Sequence, residues 1–267
     1  MKVHADGLEY NEIRRDLIPA GIVDFHNITN VQELLKNKAP WVSFQTANCA
    51  RWEGTGSWAL LDFGMEVCGG VRIVTRSVEG MAKFRLTFGE SVSEACSAIG
   101  GQGNATNDHS PRDFVVDIPM MSDLEFGQTG FRFVRIELLS GNPVLMQSIF
   151  AVSYLPCFHR EAKIRTSDEL LNQIIETSGY TLKLNFQKGV IWDGIKRDRL
   201  VWCGDLHPEI LTSLYLWGDT PNITNSLTFS MTASSSVSTL MVVEPVCFKL
   251  KSILLMVNWL EDFLIPL

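Results

Sequence analysis

Positive charge is scarce in this chain: 23 Lys and Arg stand against 30 Asp and Glu over 267 residues, a formal net charge of −7. A surface of that sign repels a phosphate backbone, which argues against nucleic acid as a partner. Nor is there an unbroken apolar run of about 20 residues, so no segment reads as a membrane span. The most apolar stretch, FKLKSILLMVNWLEDFLIPL at 248–267, is interrupted by Lys249, Lys251, Glu261 and Asp262. The amino terminus, MKVHADGLEYNEIRRDL, has a lysine with no apolar stretch behind it and lacks the form of a secretory signal, so the expected location is the cytoplasm. The six cysteines, at 49, 68, 96, 157, 203 and 247, include no C-x-x-C pair, and the five histidines never fall into an H-E-x-x-H arrangement. No metal site and no cofactor are expected on that ground. Walker and G-x-S-x-G patterns are missing too, and GGQGNA at 100–105 is not followed by a helix as a dinucleotide loop would be.

What is present divides the chain by period. From about residue 40 to 156, short alternating segments are separated by turn-rich ones. In GGVRIVTR, Val71, Ile73 and Thr75 alternate with Arg72, Val74 and Arg76. KFRLTFGE puts Phe84, Leu86 and Phe88 on one face, and GFRFVRIELL puts Phe131, Phe133 and Arg135 opposite Arg132, Val134 and Ile136. Strands at this spacing with no helix between them predict an antiparallel β-sandwich rather than a parallel α/β sheet. The period then lengthens. Thr166-Ser-Asp-Glu169 has the form of a capping box, and Leu170, Leu171, Ile174, Ile175 and Leu182 follow at helical spacing. A second helix is expected to open at Pro208-Glu209, to carry Ile210, Leu211, Leu214, Tyr215 and Leu216, and to stop at Gly218.

Between these helices lies GVIWDGIKRDRLVWCGD, residues 189–205, which has neither period. Idle helix connections run to about 2–8 residues, so a longer one is expected to act. Burying Asp193, Asp198 and Asp205 is costly unless each is paired or hydrogen-bonded, and Lys196, Arg197 and Arg199 are interleaved with them. An ion-pair network is one reading. A sugar site is the other: pyranose C–H faces stack on indoles while hydroxyls take carboxylates, which suits Trp192 and Trp202 beside three aspartates. Both tryptophans also suit a core that anchors the loop. His207 could lie near such a cleft or simply pack beside a helix start.

The stretch WDGIKRDRLVWCGDLHPE resembles the signature loop of the α-L-rhamnosidases of glycoside hydrolase family 78, with Asp193, Lys196-Arg197, Asp198, Arg199, Trp202 and Gly204-Asp205 in the family's order. LLDFGMEVCGGVRI and GFRFVRIELL are similar to that family's sandwich strands. The resemblance implies an antiparallel β-sandwich followed by the first helices of an (α/α)6 barrel, and inverting hydrolysis of a terminal α-L-rhamnoside. It implies Asp198 as the general acid and Asp193 and Asp205 as ligands of the rhamnose hydroxyls, with Arg197, Trp192 and Trp202 lining the sugar. The family commonly has Glu where Asp198 stands, and a carboxyl displaced by about 1 Å can lower the rate on the order of 100-fold. Twelve barrel helices of about 12 residues, with loops of about 5, need on the order of 200 residues, against the roughly 100 that follow the sandwich. The expected domains are therefore a sandwich at 1–160, a partial barrel at 161–229 and an atypical apolar tail at 230–267, where a frameshift or truncation is expected. No counterpart of the family's general base is found, and the chain alone is expected to be inactive or weakly active. The alternative function is a carbohydrate-binding sandwich without catalysis, its partner again a rhamnose-containing glycan.

Overall fold

A computed structural model describes residues 2–3, 9–36, 47–77, 80–99, 111–119 and 121–235. It divides into two compact units. One is Arg14–Tyr154 with Lys196–Asp198; the other takes the described residues of Met1–Ile13, Leu155–Ile195 and Arg199–Leu267.

The first unit is antiparallel β-sheet. The chain opens in the other unit, with the small ladder of β1 (Lys2–Val3) on β2 (Glu9–Tyr10). There follow β3 (Glu12–Leu17), β4 (Gly21–His26), β5 (Ile28–Thr29), β6 (Ala50–Trp52), β7 (Trp58–Ser77) and β8 (Ala82–Gly89). A single helical turn, α1 (Val92–Ala95), precedes β9 (Asp113–Ile118), β10 (Asp123–Ser140) and β11 (Val144–Pro156). Strands β3 to β11 make a nine-stranded sheet in which β7 and β10 each serve two leaves. The first half of β7 pairs with β4 and with the second half of β10; its second half pairs with β11 and with the first half of β10. Long strands that pass from one leaf to the other through bulges turn a sheet over on itself. Gly69 and Gly70 sit at the passage in β7. A Cβ on Gly69 would lie 1.9 Å from the Val152 carbonyl oxygen, and one on Gly70 would lie 2.3 Å from that of Phe126.

The apolar faces of these strands form one core that includes Trp52, Leu61, Ile73, Phe84, Leu86, Phe88, Phe131, Val134 and Ile136. The predicted face of β8 is the buried one. In β10 both alternating sets contribute to the core: Phe131 is buried before a register irregularity between Phe131 and Phe133, and Val134, Ile136 and Leu138 are buried after it, while Phe133 is half-buried. Such an irregularity exchanges the face that is covered.

The second unit contains α2 (Glu169–Asn185), the hairpin β12 (Phe186–Gln187) and β13 (Val190–Ile191), α3 (Cys203–Leu216) and α4 (Pro221–Ser235). Its core gathers Leu182, Phe186, Ile191, Leu206, Ile210, Trp217, Ile223 and Leu227, with Phe158 stacked on Trp217 at 4.4 Å. Two helix starts differ from expectation. The α2 cap is Asp168, whose carboxylate accepts the Leu171 N–H at 3.1 Å, while the Thr166 hydroxyl is tied to Asp168 and Asn172. Helix α3 begins at Cys203, five residues before Pro208, which lies inside it. The apolar stripe of α2 is also corrected: Leu170, Leu171 and Ile174 are exposed, and its buried apolar residues are Leu182 and Leu184 near the other end. The expected tail lies, from residue 236 on, outside the described residues. Among the described residues no helix is long and apolar enough to cross a membrane.

Candidate active-site loop

The loop begins where the hairpin ends. Lys188 and Gly189 both take left-handed backbone, φ 54° and 85°, as a two-residue hairpin turn of right twist requires. The turn drops Phe186 and Ile191 into the helical core, and the Ile191 N–H is fixed on the Ser226 hydroxyl at 2.9 Å. The next amide, that of Trp192, donates to the Asn185 carbonyl at 2.9 Å, so this indole leaves the core from a held backbone. Its ring is half-buried, with the Arg199 guanidinium 5.8 Å from its centroid.

Asp193 closes the loop. Its N–H donates to the Leu200 carbonyl at 2.9 Å and its carboxylate accepts the Leu200 N–H at 2.8 Å, so the two residues clasp the intervening six. Beyond the clasp, Trp202 is the N-cap of α3 and is 53% exposed, which rules out the core reading for this tryptophan. Asp205 falls in the first turn of α3 and is exposed, where the helix N-terminus favours a negative charge.

One residue of the neighbourhood was not foreseen. Glu209 follows Asp205 by four positions on α3, so the two share a helix face. Glu209 accepts from the Asn185 side-chain amide at 3.0 Å; its second oxygen is buried and finds no hydrogen-bond partner among the described residues. Burial first, then the charges of Asp205 and Asp193, push its carboxyl up to about 7 against the opposing Asn185 bond. The 205/209 spacing was visible in the sequence, but a helix opened at Pro208 leaves Asp205 outside it and conceals the pairing.

Lys196, Arg197 and Asp198 cluster with the β unit, whereas Trp192, Asp193, Trp202 and Asp205 belong to the helical unit. Lys196 lies 2.7 Å from Glu90 and 3.2 Å from Glu94. Arg197 is exposed, with its Nε 3.7 Å from the Asp198 carboxylate. Asp198 and Arg199 both adopt φ 53°. Nearby Glu66 also lies in the β unit; burial and the charges of Glu90 and Glu94, opposed by Lys196 and Arg132, push its carboxyl up to about 8. No group of His, Cys, Asp and Glu among the described residues is arranged to hold a metal. Two cavities of the helical unit, about 360 and 430 Å³, are lined by other residues; the larger includes His159, Trp217 and Asp219 and no residue of the loop.

Known proteins resemble this chain in sequence pattern and fold. Residues 159–264 match the model of the bacterial α-L-rhamnosidase 6 hairpin glycosidase domain, a match that runs on through the segment beyond residue 229 that composition sets apart. A Klebsiella oxytoca rhamnosidase with rhamnose bound superposes with a TM-score of 0.64 at 22% identity, over 84% of this chain and 45% of that one. The protein is similar to the family 78 α-L-rhamnosidases. A Bacillus sp. GL1 family 78 rhamnosidase gives 0.60 at 18% identity, over 74% of this chain and 20% of that one. A Streptomyces avermitilis α-L-rhamnosidase complexed with L-rhamnose gives 0.51 at 21% identity, over 64% and 16%. The chain thus spans less than half the length of each. No curated protein matches it. At these identities the structural likeness establishes the fold: a family 78-like chain, mostly antiparallel sheet with a few helices, similar to the N-terminal domains of rhamnosidases.

Proposed function

We propose that this family 78-like chain serves the inverting hydrolysis of terminal α-L-rhamnosides, its sheet being a jelly-roll-like sandwich and α2 to α4 the first helices of an (α/α)6 barrel. Asp198 is the general acid. It gives its proton to the glycosidic oxygen as the bond to the anomeric carbon breaks, while water attacks that carbon from the opposite face. Asp193 and Asp205 take the sugar hydroxyls; Trp192 and Trp202 offer indole faces to the ring, with Arg197 beside them. The base that accepts the water's proton is not assigned to a residue of this chain.

The observation that carries this reading is the Asp193–Leu200 clasp. It fixes a six-residue excursion between two tryptophans, one half-buried and one exposed, in a stretch whose residue order matches the family's loop. A plain ion-pair network gives no reason for an exposed Trp202. Turnover is expected to be weak, because an aspartate at 198 is one methylene short of the usual glutamate, and a displacement of about 1 Å can lower the rate about 100-fold.

The test is calorimetric titration of the full chain with L-rhamnose beside an assay on an aryl α-L-rhamnoside. Asp193→Ala and Asp205→Ala are expected each to weaken binding by about tenfold or more, the loss of a charge-assisted hydrogen bond, and Asp198→Ala to abolish any turnover while leaving binding in place. Binding that survives both Asp193→Ala and Asp205→Ala overturns the loop site and favours a sugar-binding surface elsewhere.

A further inference from the structure

The family-like order of the loop includes Lys196 without saying what it does. Its ammonium reaches Glu90 Oε2 at 2.7 Å and Glu94 Oε1 at 3.2 Å, with its side chain 22% exposed. The Glu94 carboxylate and the backbone beside it are held in turn. The Glu94 side chain accepts the Glu90 N–H at 2.9 Å, and the Glu94 N–H donates to the Ser91 hydroxyl at 3.2 Å. Arg112, 1% exposed, donates to the carbonyls of Glu94 and Ser97, both at 3.1 Å. Lys196 therefore grips one held carboxylate, that of Glu94, and one more exposed, that of Glu90, in the β unit. Such a pair costs side-chain entropy to hold, but a partly buried network loses less to solvent than an exposed ion pair does.

Two residues later the backbone is strained. Left-handed conformation is unfavourable for residues other than glycine, and Asp198 and Arg199 adopt it in succession. Neighbouring strained residues persist only where their surroundings over-determine them. The Arg197 and Asp198 side chains do not supply that constraint, since both are exposed and meet each other at 3.7 Å. The clasp at Leu200 restrains the loop after the strained pair. Before it, Ile195 is buried and Lys196 supplies the ionic restraint.

We propose that Lys196 is a positioning residue for Asp198: its ion pairs with Glu90 and Glu94 hold the left-handed Asp198–Arg199 backbone and thereby aim the Asp198 carboxyl. The conformational part stands on the geometry alone; its kinetic consequence rests on the proposed role of Asp198 as the acid. Lysine suits the task because a compact ammonium can meet two carboxylates at once from a flexible stem.

The test compares the full-length wild type with Lys196→Met and Lys196→Arg by amide hydrogen exchange read by mass spectrometry. Lys196→Met is expected to speed exchange at residues 197–200 by about fivefold or more, with peptides of the sandwich core unchanged, as local opening without global unfolding requires. Lys196→Arg, which keeps the charge, restores most of the protection. Should Lys196→Met not fold, Glu90→Gln, which leaves Glu94 in place, is expected to show the same local effect more weakly. Unchanged exchange at 197–200 in both Lys196→Met and Glu90→Gln overturns the proposal. In the aryl rhamnoside assay Lys196→Met is expected to lower kcat by about 100-fold with KM and rhamnose affinity preserved, the signature of a misaimed acid rather than a lost binding group. A parallel loss of rhamnose affinity overturns the positioning role. A wild type that neither binds nor turns over a rhamnoside counts against the functional reading, while the exchange experiment still decides the anchor.

Discussion

Replacing Glu66 by glutamine should stabilise the protein, and increasingly so as the pH rises. Glu66 lies half-buried on β7, and its carboxyl is pushed from an ordinary 4.5 up to about 8 by burial and by the charges of Glu90 and Glu94, against the pull of Lys196 and Arg132. Between those two values the unfolded chain has lost the proton and the folded chain has kept it. The folded state then binds more protons, so stability falls as pH rises through this window and levels off above about 8. A shift of this size corresponds to about 5 kcal/mol as an upper limit, and partial solvent access brings it to roughly 2–3 kcal/mol. Glutamine keeps the shape and removes the titration. Thermal melts of wild type and Glu66→Gln should therefore nearly coincide at low pH and separate by about 5–10 °C above pH 8. The variant should also flatten the decline of wild-type stability across neutral pH. Curves that stay parallel from acid to alkaline pH would falsify the argument, because they would mean that Glu66 ionises in the folded protein as readily as in the unfolded one.

Three further outcomes are expected. Gly70→Ala should destabilise the β unit by about 3 kcal/mol in urea unfolding, because its Cβ would meet the Phe126 and Gly127 carbonyl oxygens at 2.3 and 2.4 Å, backbone atoms that cannot turn aside; a change well under 1 kcal/mol would show that β7 shifts freely there. Asp168→Ala should cost about 1 kcal/mol by freeing the Leu171 N–H, with Asp168→Asn recovering most of it; equal losses in the two variants would deny the cap. Glu209→Gln should gain stability over the wild type as pH rises toward and past about 7, since burial and Asp205 hold the native proton on Glu209 after the unfolded chain has released it; a gain that appears instead on acidification contradicts that placement.

The readable parts of the fold were those governed by local period. The face of β8 was legible because Phe84, Leu86 and Phe88 alternate without interruption. The start of α3 was not, because Trp202 caps it without a side-chain hydrogen bond and Pro208 looks like a first-turn residue while lying inside the helix. The apolar positions of α2 announced a helix correctly but not which of them the core would cover: Leu182 and Leu184 are buried and Leu170 is 66% exposed. For the loop, the unusual company of tryptophans and aspartates was visible from composition, and Asp193 does find a partner. That the partner is the backbone of Leu200 was not visible, since nothing in a side-chain pattern announces a main-chain clasp.

The sequence by itself determined a β-rich first part, a helical second part and a charged, aromatic loop between helices, because strand and helix periods and turn residues act over a few positions. Only the tertiary structure decided the rest. The bulge after Phe131 exchanges the faces of β10, Lys196 meets Glu90 and Glu94 from 106 and 102 positions away, and Glu209 shares a neighbourhood with Asp193. Each of these depends on which distant segments the long strands and packed helices bring together, and on how much water they leave there. Those are properties of the folded surroundings rather than of any stretch of chain.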